Sequence, residues 1–532
     1  MSQSKALTDI YAEMSRLKIH IGYEESSVNN SKSDLKIAAK SFKTIAKSID
    51  RETAQNLLEL KEIISCGLNL LQKTFLESHK NPSSLKHPGL KIRKYFCIIL
   101  SLLIPEKTGQ IIDIVLGYLR NGIILKSHEF LTMECLHCLS ISNASCDLIL
   151  EKIIDFIEEM IITNRTDEAM IACRALYMSV TDNYRELSAT SLIRLLWLYH
   201  LSVETNNSNN KLSMFRTGFE ITVKKIFQFM NSDELLLFVP KALTMTFDNE
   251  MRSKVALTDF GLTMQEAFLR LSNCDIERNL KPEILEFLLN AMNLKCEIKS
   301  FLACRYLTIF IDHLDNFKCF STPKIFHEGS RYKITLSKET HEKIIEANHQ
   351  FIMSSILSAI KLHGFRRENL NAIYSLICVM LTTMPSAITH VMIVDILMDL
   401  QSCMIDGKQV EFNSFNKNQI HAFIISVMTL ICWTTRAKTM TKYIRNIVNI
   451  RHDIAPHLLP PLKEFYEYDQ YHVLSYKPEL FLDKWEIKYC LWNLFRIENL
   501  RPTTNEFQKK KSESKNSVFK FNLFSRKGKN SN

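Results

Sequence analysis

Apolar residues recur every three or four positions from about residue 54 to residue 494. In one stretch the pattern is carried by Leu57, Leu60, Ile64, Leu68 and Leu71. A stripe with this spacing buries one face of an amphipathic helix. Most of the chain is therefore predicted to be α-helical.

Other segments are apolar on all sides and alternate with the amphipathic ones. They include YFCIILSLLI, HAFIISVMTLICW and the stretch from 372 to 397. Helices of this kind need to be covered on both sides, which stacked helix pairs achieve. Repeats of about 40–47 residues in armadillo and HEAT proteins are often degenerate. An armadillo/HEAT-like α-solenoid rod is therefore favoured over the alternative, a large irregular helical domain.

The stretch from Ala372 to Leu397 also has the length of a membrane-spanning helix. Such a helix needs roughly 20 predominantly apolar residues, and no charged residue precedes Asp395 here. The middle of the stretch nevertheless contains several polar residues and a proline. Two buried helices joined at Met384–Pro385 are therefore predicted instead of a transmembrane segment.

Polar segments divide the chain into three regions. Residues 1–50 are predicted to be a polar N-terminal segment with weak helices. Residues 51–500 are predicted to form the α-solenoid, with candidate breaks at 202–211 and 319–333. Residues 501–532 lack apolar periodicity and are expected to be a disordered basic tail.

Signals for β-structure are scarce. The chain has 12 glycines among 532 residues, whereas sheet proteins need many glycine-bearing turns. RYKITLS, at 331–337, alternates like a strand but is short. The fold class is therefore predicted to be all-α.

The excess positive charge is concentrated at the C-terminus. The formal net charge is +10, and residues 507–532 contain eight basic residues and one acidic residue, a net of +7. The remaining 506 residues therefore carry only +3. A basic body would suggest a nucleic-acid groove, whereas a basic tail suggests an appended electrostatic contact.

The sequence contains no motif for catalysis or metal binding. GxxxxGK[ST], GxGxxG and GxSxG are all absent, which argues against P-loop, dinucleotide-binding and serine hydrolase chemistry. Cys135 and Cys138 form a lone CxxC without a second pair. His341 and His349 are eight residues apart, whereas a zincin needs a separation of four. The protein is therefore predicted to be non-enzymatic and without a cofactor or metal.

The cysteines and the N-terminal residues indicate the cellular compartment in which the protein is expected. Fourteen cysteines are scattered without a framework, several of them in apolar stretches, which suits a reducing environment. The first residues, MSQSKALTDIYAEM, contain no signal peptide and no Gly at position 2 for myristoylation. A protein facing the cytosol is expected.

The tail combines basic residues with phenylalanines, a composition suited to an anionic membrane surface. Basic residues contribute roughly 1 kcal/mol each near such a surface, and phenylalanine inserts at the level of the headgroups. The predicted membrane-binding residues are Lys509, Lys510, Lys511, Lys515, Phe519, Lys520, Phe521, Phe524, Arg526, Lys527 and Lys529. Two other interpretations stay open: a nuclear-import or nucleic-acid-binding signal, and an inert soluble terminus.

Several stretches of the second half resemble a known family. They are HLDNFKC with RYKI (313–334), NHQFIMSSILSAIK (348–361), AIYSLICVML, MIVDILMDLQ (392–401) and KPELFLDKWEIKYCL (477–491). The most specific is MTKYIRNIVNIRHDIAPHLLP (440–460), a predicted helix that ends in the pattern I-R-x-x-x-A-P-x-x-L-P. Together they are similar to the rolling blackout family, also called the Eighty-five-requiring-three (Efr-three) family.

The resemblance implies a non-enzymatic scaffold at the cytoplasmic face of the plasma membrane, with a cytosolic pool. Family members recruit a phosphatidylinositol 4-kinase type III alpha complex through a tetratricopeptide-repeat adaptor and so support phosphatidylinositol 4-phosphate synthesis. The expected partners are this complex and anionic membrane lipids, with no nucleic acid.

The N-terminal region departs from the family pattern. Animal members of the family carry an N-terminal cysteine cluster for palmitoylation, whereas the first cysteine here is Cys66. The tail is therefore expected to supply much of the membrane attachment. The alternative function is an α-solenoid adaptor of another class, a transport or nuclear factor, with the tail as a nuclear-import or nucleic-acid-binding signal.

Overall fold

The structure of the chain is a computed structural model. It describes residues 2–22, 32–50, 54, 60–80, 88–102, 105–120, 146–182, 189–204, 210–247, 254–271, 276–336, 338–406, 412–463 and 477–496. Within these ranges the regular secondary structure consists of α-helices and short 3-10 turns, without a strand. The prediction of an all-α solenoid fold is confirmed.

Contacts divide the chain into two compact units, Met1–Ala267 and Phe268–Asn532. The candidate breaks at 202–211 and 319–333 lie inside the first and the second unit, respectively. The described helices of the first unit are α1 (Ser2–Ile21), α2 (Lys32–Ser48), α3 (Leu60–Lys80), α4 (Pro88–Ser101), α5 (Pro105–Arg120), α6 (Cys146–Ile162), α7 (Thr166–Asp182), α8 (Ala189–Glu204), α9 (Asn210–Phe229), α10 (Ser232–Phe247) and α11 (Lys254–Phe268), which ends at the boundary.

Helices of the first unit contact their neighbours in sequence and also the next helix but one. Helix α1 packs on α2, α6 packs on α7 and α8, and α7 packs on α9. Apolar faces meet in these contacts; the stacked rings of Tyr199 and Phe260, for example, lie 5.4 Å apart between α8 and α11. This is the layered packing of helical repeats, in which each repeat is covered by the next one.

The second unit is also built from successive helices. They are α12 (Ile276–Asn279), α13 (Pro282–Met292), α14 (Glu297–Ile311), α15 (Glu339–His363), α16 (Arg367–Thr383), α17 (Ala387–Asp406), α18 (Ser414–Thr435), α19 (Lys438–Ile454) and α20 (Lys484–Phe495). Every residue of α18 from Asn418 to Cys432 is buried, as its all-apolar sequence predicts. Helix α16 ends at Thr383 and α17 begins at Ala387, so two helices joined at Met384–Pro385 are confirmed.

Helix α17 is the one described helix that is long and apolar enough to cross a membrane. Its best window has a mean hydropathy of 1.5, and 61% of that window is buried in the protein. The amide of Gln401 on this helix donates to the Leu482 carbonyl at 2.8 Å and accepts from the Leu482 N–H at 2.9 Å. These contacts are those of a core helix that packs on α20.

A non-helical segment between α14 and α15 is fixed by hydrogen bonds to side-chain and backbone groups of other helices. The hydroxyl of Ser426 accepts from the Lys324 N–H at 2.9 Å and donates to the Lys324 carbonyl at 2.6 Å. Farther along, the Thr335 N–H donates to the Thr382 carbonyl at 3.0 Å. Residues 331–336, the described part of RYKITLS, are therefore non-helical and form no strand with another described segment.

The side chain of Lys324 closes this segment against an aromatic box. Its ammonium lies 5.8, 5.6 and 4.9 Å from the ring centroids of Phe320, Phe326 and Tyr332. It also donates to the Cys319 carbonyl at 2.5 Å. Cation–π attraction at exposed sites contributes about 0.5–1 kcal/mol, so the half-buried Lys324 stabilises the conformation of this segment.

Candidate functional site: a lysine face on the second helix

Helix α2 separates its apolar and its basic residues onto opposite faces. Leu35, Phe42 and Ile45 are buried. The exposed residues on the other side form the lysine face, defined as Lys36, Lys40, Lys43 and Lys47. With 3.6 residues per turn and a rise of 1.5 Å per residue, these four lysines fall within an arc of roughly 60° and a length of about 16 Å.

The apolar side of α2 fixes the position of this face. The ring of Phe42 stacks on the ring of Phe96 in α4, with centroids 6.3 Å apart. Gly67 of α3 faces both rings, and a Cβ atom at that position would lie 2.8 Å from Phe42 and 2.9 Å from Phe96. Glycine therefore permits the close approach of α3 to α2 and α4, and the lysine face stands on a tightly packed base.

Three described carboxylates contact basic side chains outside the lysine face: Glu13 on α1, Glu62 on α3 and Asp34 on α2 itself. Glu13 pairs with Arg16 at 2.8 Å and Glu62 pairs with Lys18 at 2.5 Å, and Asp34 lies 3.1 Å from Nδ1 of His20. None of the four lysines of the lysine face forms an ion pair with another described residue. Their charges are therefore available to an external anion.

Helix α4, which packs on α2, also has exposed basic residues. It exposes Lys91 and Lys94, together with Ile98, whose exposed fraction is 36%. On α2 itself Ile37 is 43% exposed beside the lysine face. Exposed lysines next to an exposed apolar side chain, as on α2, are typical of contacts with an anionic interface.

The site residues predicted from the sequence lie elsewhere. All of them, from Lys509 to Lys529, are outside the residues that the structure describes, so the role of the tail stays a prediction. The lysine face was missed, although its spacing of four, three and four residues is legible in KIAAKSFKTIAK. What the sequence does not show is which lysines have carboxylate partners.

The most specific stretch of the family resemblance centres on a buried cation. Arg451, the arginine of IRHDIAP, is 0% exposed. Its Nε donates to the Leu480 carbonyl at 2.7 Å, and its Nη1 donates to the carbonyls of His421 at 3.2 Å and Leu458 at 3.1 Å. Arg451 therefore joins α18, α19 and the turn before α20, and its role is structural.

The imidazole of His421 lies close to this arginine and is also buried. Burial, with the nearby positive charges of Arg451, Lys417 and His457 adding to it, lowers the pKa of His421 well below the usual histidine value. The ring is therefore neutral at physiological pH. A neutral buried histidine beside a carbonyl-bound arginine is a packing arrangement without an open substrate position.

The other candidate chemical groups are also accounted for by packing. Burial raises the pKa of Cys66 to about 11 and the pKa values of Cys304 and Cys432 to about 12, so these thiols stay protonated and unreactive at neutral pH. No group of three or more metal-ligating side chains occurs among the described residues. Cys135 and Cys138 lie outside those residues.

The two histidines of HEKIIEANH lie on α15 without forming a site. His341 is 3% exposed, and its ring lies 6.4 Å from the ring of His313. The Nδ1 atom of His349 instead lies 2.8 Å from the Glu346 carbonyl on the exposed side of the helix. The separation of eight residues therefore does not bring the two imidazoles together as metal ligands.

Helices that stack in successive layers, as the described ones do, are typical of helical-repeat scaffolds of the armadillo class. A comparison with protein families identifies the family within this class. The sequence profile described as "EFR3, armadillo repeat" matches residues 205–487, which is more than half of the chain. The protein therefore belongs to the EFR3 family, and the predicted resemblance is confirmed.

The other comparisons add little. No curated protein matches the chain. Among solved structures, the chain is similar to a crystal structure of an engineered protein from the Northeast Structural Genomics Consortium, with 11% identity and a TM-score of 0.27 over 85% of this chain and 96% of that chain. A TM-score of this size does not define a shared fold.

Proposed function

We propose that this protein is a non-enzymatic peripheral scaffold at the cytoplasmic face of the plasma membrane. In this proposal it helps to recruit a phosphatidylinositol 4-kinase complex through a tetratricopeptide-repeat adaptor and so supports phosphatidylinositol 4-phosphate synthesis. Membership of the EFR3 family supports a scaffold role in general. The membrane part of the proposal rests on one observation, the lysine face of α2.

Electrostatic attraction gives this face a measurable affinity for anionic lipids. Each lysine held near a negatively charged leaflet contributes roughly 1 kcal/mol, so four contribute about 4 kcal/mol. The attraction acts within a Debye length of about 8 Å at physiological ionic strength. An affinity of this size is reversible, and stable anchoring takes a second signal, which the basic and aromatic tail is proposed to supply.

The shape of the lysine face indicates what it recognises. Its four ammonium groups are spread along about 16 Å of a convex helix and do not converge on one point. Such a face responds to the charge density of a membrane. We therefore expect vesicles with phosphatidylserine and vesicles with a phosphoinositide to bind equally when their surface charge is equal.

Vesicle binding of the full chain tests the membrane part. Lys36→Gln/Lys40→Gln removes two charges from the lysine face, and Lys438→Gln/Lys442→Gln removes two exposed lysines with the same spacing from α19. The first variant is expected to bind phosphatidylcholine–phosphatidylserine vesicles roughly 30-fold more weakly, because about 2 kcal/mol is lost. The second is expected to bind like wild type; an equal loss in both would show that only net charge matters.

Two further measurements test the rest of the proposal. Deleting residues 507–532 is expected to weaken vesicle binding further when it is combined with the double lysine variant. A pull-down of the full chain from cells is expected to bring down a lipid kinase together with a tetratricopeptide-repeat adaptor. A nuclear location of the tagged protein, with no kinase in the pull-down, would favour the alternative adaptor function.

A further inference from the structure

Thr44 is an exposed hydroxyl group on α2 at the edge of the lysine face. It lies four residues after Lys40, next to Lys43, and three residues before Lys47. Side chains three and four positions apart are neighbours on a helix surface, so lysines flank Thr44 on both sides along the axis. Its Oγ1 donates to the Lys40 carbonyl at 3.1 Å.

Thr44 differs in exposure from Ser41 and Ser48, the other hydroxyl residues of α2 that lie close to Lys40, Lys43 and Lys47. Ser41 on the same helix is 4% exposed, which makes it inaccessible to an enzyme. Ser48 is half-buried and is the last residue of α2. Thr44 therefore combines exposure with a position among the charges that the membrane would contact.

We propose that Thr44 is a phosphorylation site and that its phosphorylation releases the lysine face from anionic membranes. This inference rests on the proposed membrane function. In the reaction, the Thr44 hydroxyl oxygen forms a bond to the γ-phosphorus of a nucleoside triphosphate, and the bond from that phosphorus to the bridging oxygen breaks. A nucleoside diphosphate leaves, and the hydroxyl proton passes to a base of the protein kinase.

The charge balance explains the release. A phosphothreonine carries about −1.5 to −2 charges at pH 7, so it cancels up to half of the +4 of the lysine face. Its oxygens lie within reach of Lys40 and Lys47 at helical spacing, and lysines that pair with the phosphate are no longer available to lipid. The phosphate itself is also repelled by an anionic leaflet.

The location of Thr44 near the end of α2 favours modification. The helix ends at Ser48, and terminal turns open at a lower free-energy cost than helix centres. A negative group near a helix C-terminus also opposes the helix dipole. Phosphorylation is therefore expected to loosen the last turn, which carries Lys47, in addition to neutralising charge.

The experiment uses the full chain and vesicles of phosphatidylcholine with phosphatidylserine. Thr44→Glu adds one negative charge and is expected to weaken binding about fivefold, since one unit charge is worth roughly a factor of five to ten. Thr44→Gln introduces a side chain of the same size as glutamate but without the charge, and this variant is expected to bind like wild type. Phosphothreonine incorporated at position 44 is expected to weaken binding roughly 30-fold.

A matched control comes from Thr163 in the same unit. It is also exposed, and its Oγ1 donates to the Glu159 carbonyl four residues earlier, at 2.8 Å. Thr163→Glu therefore makes the same chemical change away from the lysine face and is expected to leave vesicle binding unchanged. Circular dichroism of all variants checks that helix content is retained.

The outcomes separate this inference from the proposed function. If Lys36→Gln/Lys40→Gln binds weakly but the phosphothreonine protein binds like wild type, the phosphorylation switch is wrong and the membrane function stands. If the lysine variant also binds like wild type, the membrane function itself fails. In cells, mass spectrometry is expected to find the Thr44 phosphopeptide enriched in the cytosolic fraction; its absence from both fractions would overturn the switch.

Discussion

Two basic sites, one in each unit of this protein, use positive charge in opposite ways. On α2 of the first unit, Lys36 and Lys40 are exposed and form no ion pair with another described residue. On α19 of the second unit, Arg451 is fully buried and donates to three backbone carbonyls. A cation whose donors are used by the protein's own carbonyls stabilises the fold, whereas a cation left in water can bind an external anion.

The largest expected effect comes from removing the internal cation. Arg451→Ala leaves the buried carbonyls of His421, Leu458 and Leu480 without this donor and opens a cavity. We expect a loss of about 4 kcal/mol in the free energy of unfolding, since each buried polar group left unsatisfied costs about 1–3 kcal/mol. Urea unfolding followed by circular dichroism measures it.

A conservative variant separates the hydrogen bonds from the charge at this site. Arg451→Lys keeps the positive charge but cannot reproduce three donations from a planar guanidinium. It is expected to recover less than half of the lost stability. A change below about 1 kcal/mol in the free energy of unfolding for Arg451→Ala would contradict the contrast between Arg451 and the exposed lysines of α2.

Acid is expected to weaken the second unit through His421. Burial lowers the pKa of His421, so the unfolded chain binds a proton below about pH 6.5 while the folded chain does not. Stability is therefore unaffected above that pH and falls as the pH drops below it, by about 1.4 kcal/mol per pH unit, until the folded pKa is reached. Unfolding measured from pH 7 to pH 5 checks this slope.

The variant His421→Gln identifies the source of this pH dependence. Glutamine does not titrate, so the variant is expected to show a shallower loss of stability between pH 6.5 and pH 5 than wild type. His390 and His457, whose pKa values burial also lowers, account for the slope that remains. An unchanged slope in His421→Gln would show that the other two histidines carry the effect.

Lys324 is intermediate in burial between the exposed lysines of α2 and the fully buried Arg451. Its ammonium is held by three aromatic rings and one carbonyl, so Lys324→Met is expected to cost about 1 kcal/mol of stability. The exposed Lys438 on α19 provides the control, and Lys438→Met is expected to be neutral. Equal midpoints for both variants in urea unfolding would mean that the aromatic box adds no stability.

Periodicity was sufficient to predict the all-α fold and the junction between α16 and α17, because both depend on local spacing and on Pro385. The role of Arg451 was not accessible in the same way. Its acceptors are the carbonyls of residues 421, 458 and 480, which only the tertiary fold brings together. Likewise, the lysine spacing on α2 is legible in the sequence, but the pairing of Glu62 with Lys18 depends on packing.

The smallest expected effect concerns Ile37 and asks whether the lysine face acts by charge alone. Ile37 is 43% exposed beside Lys36 and Lys40, so insertion at the headgroup level would bury the remaining apolar surface. Ile37→Ser is expected to weaken vesicle binding about threefold, since part of one side-chain burial is lost. The control Leu237→Ser changes a 75% exposed residue of α10 and is expected to have no effect.

The salt dependence of vesicle binding by Ile37→Ser distinguishes apolar insertion from electrostatic attraction. Salt screens the attraction of the lysines but leaves apolar insertion intact. The ratio of wild-type to Ile37→Ser binding is therefore expected to stay constant as salt is raised, while both affinities fall. If Ile37→Ser binds like wild type at every salt concentration, the face is purely electrostatic, and the aromatic residues of the tail are left as the source of insertion.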